Sequence, residues 1–424
     1  MGDRIRFFLK RLGERLWVKP LLMCMLSIVG VFLARAADFT EIGQFVPDVT
    51  SDSIDALLSN LATSMLVIAT FAAGSMIQAY ASASNTATPR SFSLVISDDV
   101  SQNALSTFIG TFIFSIVGLV SLKNEFYDKA GRFALFALTI AALAIVVLTF
   151  VRWVDRIARL GRLGTTIEKV EGATRYALQR RRACPFMRAV PLGANQFAGL
   201  PVYGEKIGYV LRVDVDELQS VAKKAQVRIA VAALPGTFCS PGHPLAFVRD
   251  ESGNAPDIDT SRVARAFRIG NDRTFDEDPR FGFVVLSEIA NRALSPAVND
   301  PGTAIDVICA SVRLFALWVE PVKGGDDQGP DFDRVEVPGL SLWDMFDDVY
   351  TAIAHSGVDS LEVVIRLLKA FQALASLGDA TMREVALHHS RLVVARAEKA
   401  LGLPEDMERV RKVAEFEADL YREI

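Results

Sequence analysis

Residues 133–151 read FALFALTIAALAIVVLTFV, a run without one charged side chain. About 20 such residues in a helix cross the hydrocarbon core of a bilayer, where only a fully hydrogen-bonded rod leaves no backbone polar group stranded. Three more apolar stretches precede this one, at about 18–37, 57–81 and 104–122. The expected fold class is therefore membrane α-helical, with four transmembrane helices followed by a cytoplasmic α+β module and a helical C-terminal region. The boundaries read from the sequence are 1–152 for the transmembrane domain with four spans and 153–188 for a basic helical connector. A small α+β or barrel-like module at 189–250 and a mainly helical cytoplasmic domain at 251–424 follow.

The first stretch has a second reading. A basic start, a short apolar run and Ala34-Arg35-Ala36 also suit a signal peptide with a small-residue cleavage site. As a span, it has Lys19 and Arg35 near its ends, where long basic side chains can reach opposite interfaces.

Orientation follows from the basic residues. Arg4, Arg6, Lys10, Arg11, Arg15 and Lys19 precede the first span, and Arg152, Arg156, Arg159, Arg162 and Lys169 follow the fourth. Both ends are expected in the cytoplasm of a bacterium, with the protein multi-pass in its inner membrane. The loop at 38–55 has no Lys or Arg and reads as external. The connector is expected to lie on anionic lipids.

The spans hold polar residues on defined faces. At about 100° per residue, Thr63, Thr70, Gly74 and Gln78 share one side of the second span, and Thr107, Thr111 and Ser115 share one side of the third. Two readings remain open: small and hydroxyl residues that let helices pack closely, or the lining of a permeation path made by oligomerisation. Small-residue helix faces need a partner, so a homo-oligomer is expected. No Asp, Glu, Lys or Arg sits in the middle of these two spans, which weakens a proton-coupled transporter.

Pro89 should interrupt the second helix. Arg90 can then pair with Asp98 or Asp99, bind a lipid phosphate, or gate a pore mouth, and the chain from Arg90 to Val100 is expected to form a short interfacial helix.

Farther on, strand-like segments at 207–213 and 226–231 flank a helix that Asp214 is placed to cap. From Thr260 onward helices dominate. Asp278-Pro279 and Asp300-Pro301 both read as helix starts, with Asp at the cap and Pro at the first helical position. A dense polar group surrounds them: Arg273, Asp276, Glu277, Asp278, Arg280, Glu288, Asn291, Arg292, Asn299 and Asp300. Arg273, Asp276, Asp278, Arg292, Asn299 and Asp300 are the candidate ligand site. The same residues also serve as caps and turns, and paired carboxylates could do acid–base work.

Several ordered motifs carry a resemblance. They are Thr88-Pro89-Arg90 with Asp98 and Gln102, Ile207-Gly208-Tyr209-Val210 with Asp214 and Leu218, and Pro235-Gly236-Thr237-Phe238 with Pro241-Gly242-His243-Pro244-Leu245. The runs at 273–282 and 293–304 complete the series. Together they resemble the predicted bacterial membrane proteins of domain-of-unknown-function family 2254, from about Leu16 to His389. Thr88 departs from that pattern, where the family often has Ser. The resemblance implies a polytopic inner-membrane protein and names no reaction.

Other classes are weakened. The net charge of −4 argues against a nucleic-acid binder. Cys24, Cys184, Cys239 and Cys309 form no CxxC pair, and neither a phosphate loop nor a dinucleotide fingerprint is present, so no metal, cofactor or catalytic residue is expected. The leading expectation is a channel-like or transport-related protein with a cytoplasmic sensing or gating domain. The second is a non-conducting scaffold or signalling protein, and an enzyme comes third.

Overall fold

The computed structural model describes residues 17–39, 46–86, 88–91, 94, 99–157, 163–193, 198–256, 258–321 and 330–416. The chain divides into two compact units, Met1–Thr166 and Ile167–Ile424.

The first unit is a helical bundle. Its helices are α1 (Val18–Ala36), α2 (Ser51–Thr86), α3 (Asp99–Lys123) and α4 (Lys129–Ile157). The centre belongs to α3, which packs against each of the other three. Small residues make that position available: a Cβ on Gly110 would press on Met23 of α1, and one on Gly118 would press on Leu58 of α2 and Leu135 of α4. The bundle core includes Ile54, Leu58, Phe108, Phe114, Leu135 and Trp153. By contrast, Leu22, Leu26 and Leu33 of α1 and Leu148 and Val151 of α4 point outward and are exposed. Apolar side chains turned away from a core suit a lipid surround.

One end of the bundle is tied by polar contacts. Asp38 accepts the N–H groups of Asp128 (3.0 Å) and Gly131 (2.6 Å), so it caps the first turn of α4. Tyr127 donates from its hydroxyl to the Val31 carbonyl at 3.0 Å. The Arg35 guanidinium lies 4.0 Å from the centre of the Phe126 ring and donates to the Phe126 carbonyl. The charge at the end of α1 is thus held by the α3–α4 turn.

The second unit joins two sheets to a helical layer. Its strands are β1 (Ala189–Pro191), β2 (Leu200–Tyr203), β3 (Gly208–Val213), β4 (Arg228–Val231), β5 (Phe238–Cys239), β6 (Pro244–Arg249), β7 (Phe267–Gly270) and β8 (Phe332–Val337). The five-stranded sheet has the order β1-β8-β4-β6-β2, and the three-stranded sheet the order β5-β3-β7. Strand β8 lies parallel between β1 and β4, and β7 is antiparallel to β3. The α+β module read at 189–250 therefore takes two further strands from the region that follows it. Nothing local in the sequence marks them as partners, because strand pairing is decided by distant segments.

Helix α5 (Leu163–Ala183) contains the division between the units. It is followed by α6 (Val215–Ala225), α7 (Ser261–Ala264), α8 (Pro279–Ala293) and α9 (Pro301–Val319). Next come α10 (Leu342–Phe346), a π-helical turn at Asp347–Thr351, and α11 (Ala352–Ser356). The last three are α12 (Leu361–Leu377), α13 (Ala380–Ala400) and α14 (Pro404–Ala414). The Asp214, Asp278, Asp300 and Asp379 side chains accept N–H groups in the first turns of α6, α8, α9 and α13. Phe283, Phe315, Phe346, Tyr350 and Phe371 pack into one fully buried aromatic core.

Among the described residues, five helices are long and apolar enough to cross a membrane: Val18–Phe39, Ser51–Ser82, Val100–Lys123, Lys129–Ile157 and Pro301–Val319. The sequence expectation counted four. The fifth, α9, buries Val307, Ile308, Leu314 and Phe315 against α8 and α12 of the second unit.

Candidate functional site

The polar residues grouped by sequence divide between the two ends of α8. At its start, Asp278 receives the Phe281 N–H at 3.1 Å, and Pro279 occupies the first helical position. Arg273 grips the same carboxylate with both arms, Nε to Oδ2 at 2.7 Å and Nη2 to Oδ1 at 3.0 Å. A side chain at Gly236 (φ +94°) would collide with this carboxylate, so the Pro235-Gly236 turn closes over it. Asp278 is left 3% exposed.

Arginines from other elements complete this end. Arg212 of β3 lies 3.6 Å from Glu277, and Arg180 of α5 donates to the Asp276 carbonyl at 3.3 Å. Arg181 is buried and feels the charges of Glu277 and Asp278. Burial pushes the Glu277 carboxyl above its ordinary range, against the pull of Arg212, Arg180 and Arg181. Burial likewise raises Asp278, with Arg273 opposing it. Arg280 points across to Asp348 (2.6 Å) in the π-turn and to Asp344 (2.5 Å) in α10. Burial works against its charge, but these two carboxylates outweigh burial and raise it.

Arg292, Asn299 and Asp300 stand at the other end. Arg292 is exposed. Asn299 adopts φ +49° and donates its N–H to the Ser295 carbonyl at 2.9 Å, turning the chain back. Asp300 accepts the Thr303 N–H at 3.1 Å and the Thr303 hydroxyl at 2.6 Å, which lower its carboxyl. The 15 residues of α8 separate the two groups, by about 20 Å at 1.5 Å per residue. Arg273, Asp276 and Asp278 are thus brought together, whereas Arg292, Asn299 and Asp300 build the α8–α9 turn. Arg180, Arg181 and Arg212 escaped the sequence reading because they lie on elements distant in the chain. In the sequence Arg180 and Arg181 stand only as part of a basic run at 180–182, and Arg212 as one residue of a strand-like segment.

A second set of contacts fixes α5 along its length. Arg313 of α9 pairs with Glu171 through two bonds (2.9 and 2.6 Å), and Arg175 joins at 2.8 Å. Thr174 fills the notch at Gly282 of α8, and Arg182 donates to the Glu320 carbonyl.

In the first unit the two polar faces part company. Thr107, Thr111 and Ser115 of α3 are buried inside the bundle. Thr63, Thr70, Gly74 and Gln78 of α2 point outward and are exposed. Thr63 and Thr70 donate their hydroxyls to the carbonyls four residues back, Ser59 (3.0 Å) and Leu66 (2.8 Å). Arg90 is exposed in the middle of a 3-10 turn at Pro89–Ser91. Asp98, the Asp99 side chain and most of the expected 90–100 helix lie outside the described residues. Also among the described residues, no group of three His, Cys, Asp or Glu is placed to hold a metal ion.

Outward apolar faces, a helix bundle and the ordered motifs agree with the comparison to known families. The family model described as "Predicted membrane protein (DUF2254)" matches residues 13–373. The chain belongs to this family. Two relatives match this DUF2254 chain at 30% identity over 209 residues, 47% of its length and 39% of theirs. They are Uncharacterized protein Mb1321c of Mycobacterium bovis and Uncharacterized protein Rv1290c of Mycobacterium tuberculosis. The chain thus spans about two fifths of the length of these curated relatives. No solved structure matches it.

Membership of the DUF2254 family and the apolar helices make this a multi-pass membrane protein. What it does in the membrane is left to the geometry.

Proposed function

We propose that this DUF2254 protein is an oligomeric, channel-like or transport-related protein of the bacterial inner membrane. Its spans are α1 to α4. Both ends of the chain and the second unit lie in the cytoplasm, where the second unit senses or gates, and the basic residues at 152–169 rest on anionic lipids. Helix α9 is a core helix of that second unit, a reading supported by the helices and side chains that bury it. The observation that carries the proposal is the outward polar face of α2. Thr63, Thr70, Gly74 and Gln78 face away from their own bundle, so a path they line would form only between copies. The buried face of α3 supports helix packing instead.

The test is flux of small ions through liposomes carrying the full chain, with Thr70 and Gln78 replaced by Leu. Flux in the parent and its reduction in the variant support the proposal. Absence of flux in the parent removes it.

One observation favours a second reading, a non-conducting scaffold or signalling protein. The Thr63 and Thr70 hydroxyls are already satisfied by their own helix, which suits a dry helix–helix contact. This reading predicts retrieval of a protein partner by the second unit and no conductance. The cluster at the start of α8 would then be the place where a ligand or partner competes for Glu277 or its arginines.

A further inference from the structure

We propose that α2 is a seam through which one copy of this chain packs against a second copy in the bilayer. The inference rests on the reading above for the placement of α2 in hydrocarbon, and it names the partner of that face.

Asn60, Thr63, Val67, Thr70 and Gly74 recur at alternating steps of three and four residues, and every one of them is exposed in the single chain. That alternation keeps one face of a helix against a neighbouring helix. The outward faces of α1 and α4 are different. Leu22, Leu26, Leu33, Leu148 and Val151 need nothing beyond lipid tails. On α2 the seam is polar or small except for Val67, with exposed Leu66, Phe71 and Ile77 at its borders.

Two amides decide what covers the seam. Asn60 and Gln78 are exposed, and neither side chain is hydrogen-bonded among the described residues. Lipid tails have no hydrogen-bonding group to offer, so an amide left facing them is costly. A second copy of α2, parallel and at the same depth, brings the same amide to the same level. An amide carries both donors and an acceptor, so two of them related by a two-fold axis satisfy each other. The Thr63 and Thr70 hydroxyls already have carbonyl acceptors and can enter the seam without a new partner. A Cβ at Gly74 would meet nothing within 4 Å in the single chain, which leaves a notch where two backbones approach.

The full chain, fluorescently labelled, is reconstituted into phosphatidylethanolamine–phosphatidylglycerol liposomes and counted by stepwise photobleaching as lipid dilutes it. Gly74→Leu is compared with Gly30→Leu on α1. Both positions accept a Cβ with nothing within 4 Å, and the melting temperature of each variant in detergent is compared with the parent to show that the protomer stays folded. The expected result is association in the parent, weakened about tenfold or more by Gly74→Leu and unchanged by Gly30→Leu. Three results overturn the proposal: single copies at every dilution, equal weakening by both variants, or association that Gly74→Leu leaves intact. Flux measured on the same liposomes separates the two readings. Pairing through α2 without flux removes the channel and keeps the seam. Flux that persists while Gly74→Leu leaves association intact removes the seam and keeps the channel.

Discussion

Arg313 grips Glu171 through two hydrogen bonds, Nε 2.9 Å from Oε1 and Nη2 2.6 Å from Oε2. The pair joins α5 to α9 across 142 positions of sequence. Burial opposes the Glu171 charge, but Arg313 and then Arg175 outweigh it and hold the carboxyl below its ordinary value. A carboxylate depressed in the folded state stabilises the protein above its unfolded pKa, and that contribution fades as pH falls through the folded value. Glu171→Gln should therefore lower the thermal midpoint of the full chain in detergent at pH 7, with a loss of about 1–2 kcal/mol. The difference from the parent should shrink in acid. A gap that stays constant down to strongly acidic pH would refute this assignment.

Gly282 and Thr174 set the approach of α8 to α5. A Cβ at position 282 would run into the Thr174 side chain. Gly282→Ala should destabilise by about 1–3 kcal/mol, the usual range for overpacking. Adding Thr174→Ala should restore only part of this, because the Thr174 Cβ is itself within reach. Full recovery in denaturation curves would mean that the hydroxyl and methyl alone make the clash.

His389 is 3% exposed among Phe346 and Phe371, and burial lowers its pKa to about 4, against the attraction of Asp347. Its stabilising contribution is whole above the unfolded pKa near 6.5 and is lost as pH falls toward 4. The expected loss is up to about 3 kcal/mol at the acid end, at 1.36 kcal/mol per pKa unit. His389→Leu should flatten the melting-temperature profile between pH 7 and 4. An unchanged slope in that variant would assign the acid sensitivity to other groups.

Asp38 caps α4 from a different segment of the chain. Asp38→Ala should weaken the bundle by about 1 kcal/mol, with Asp38→Asn closer to the parent because its oxygen still accepts an N–H. Hydrogen exchange of the Asp128 and Gly131 amides is the direct measure. Protection that survives Asp38→Ala would show that the cap contributes nothing.

Local signals in the sequence were faithful where the physics was local. An uncharged run such as 133–151 needs no partner to be helical in lipid, and Asp-Pro at 278–279 and 300–301 supplies the cap and the first helical residue from two neighbouring positions. The candidate site was legible only in part. Closeness in sequence joined Asp278 to Asp300, yet a rigid helix holds them apart. The residues that do surround Asp278 come from the loop before α8, the Pro235-Gly236 turn and α5. The two polar faces looked alike at 100° per residue, but packing turned the α3 face inward and the α2 face outward.

The sequence by itself determined the membrane class, the family kinship and most helix starts, since hydrophobicity and capping act over a few neighbouring residues. Tertiary structure alone decided that β7 and β8 complete the two sheets, that Arg181 and Arg212 stand beside Glu277, and that one polar face is sealed while the other is open. Those outcomes depend on which distant surfaces meet, and no window of neighbouring residues holds that information.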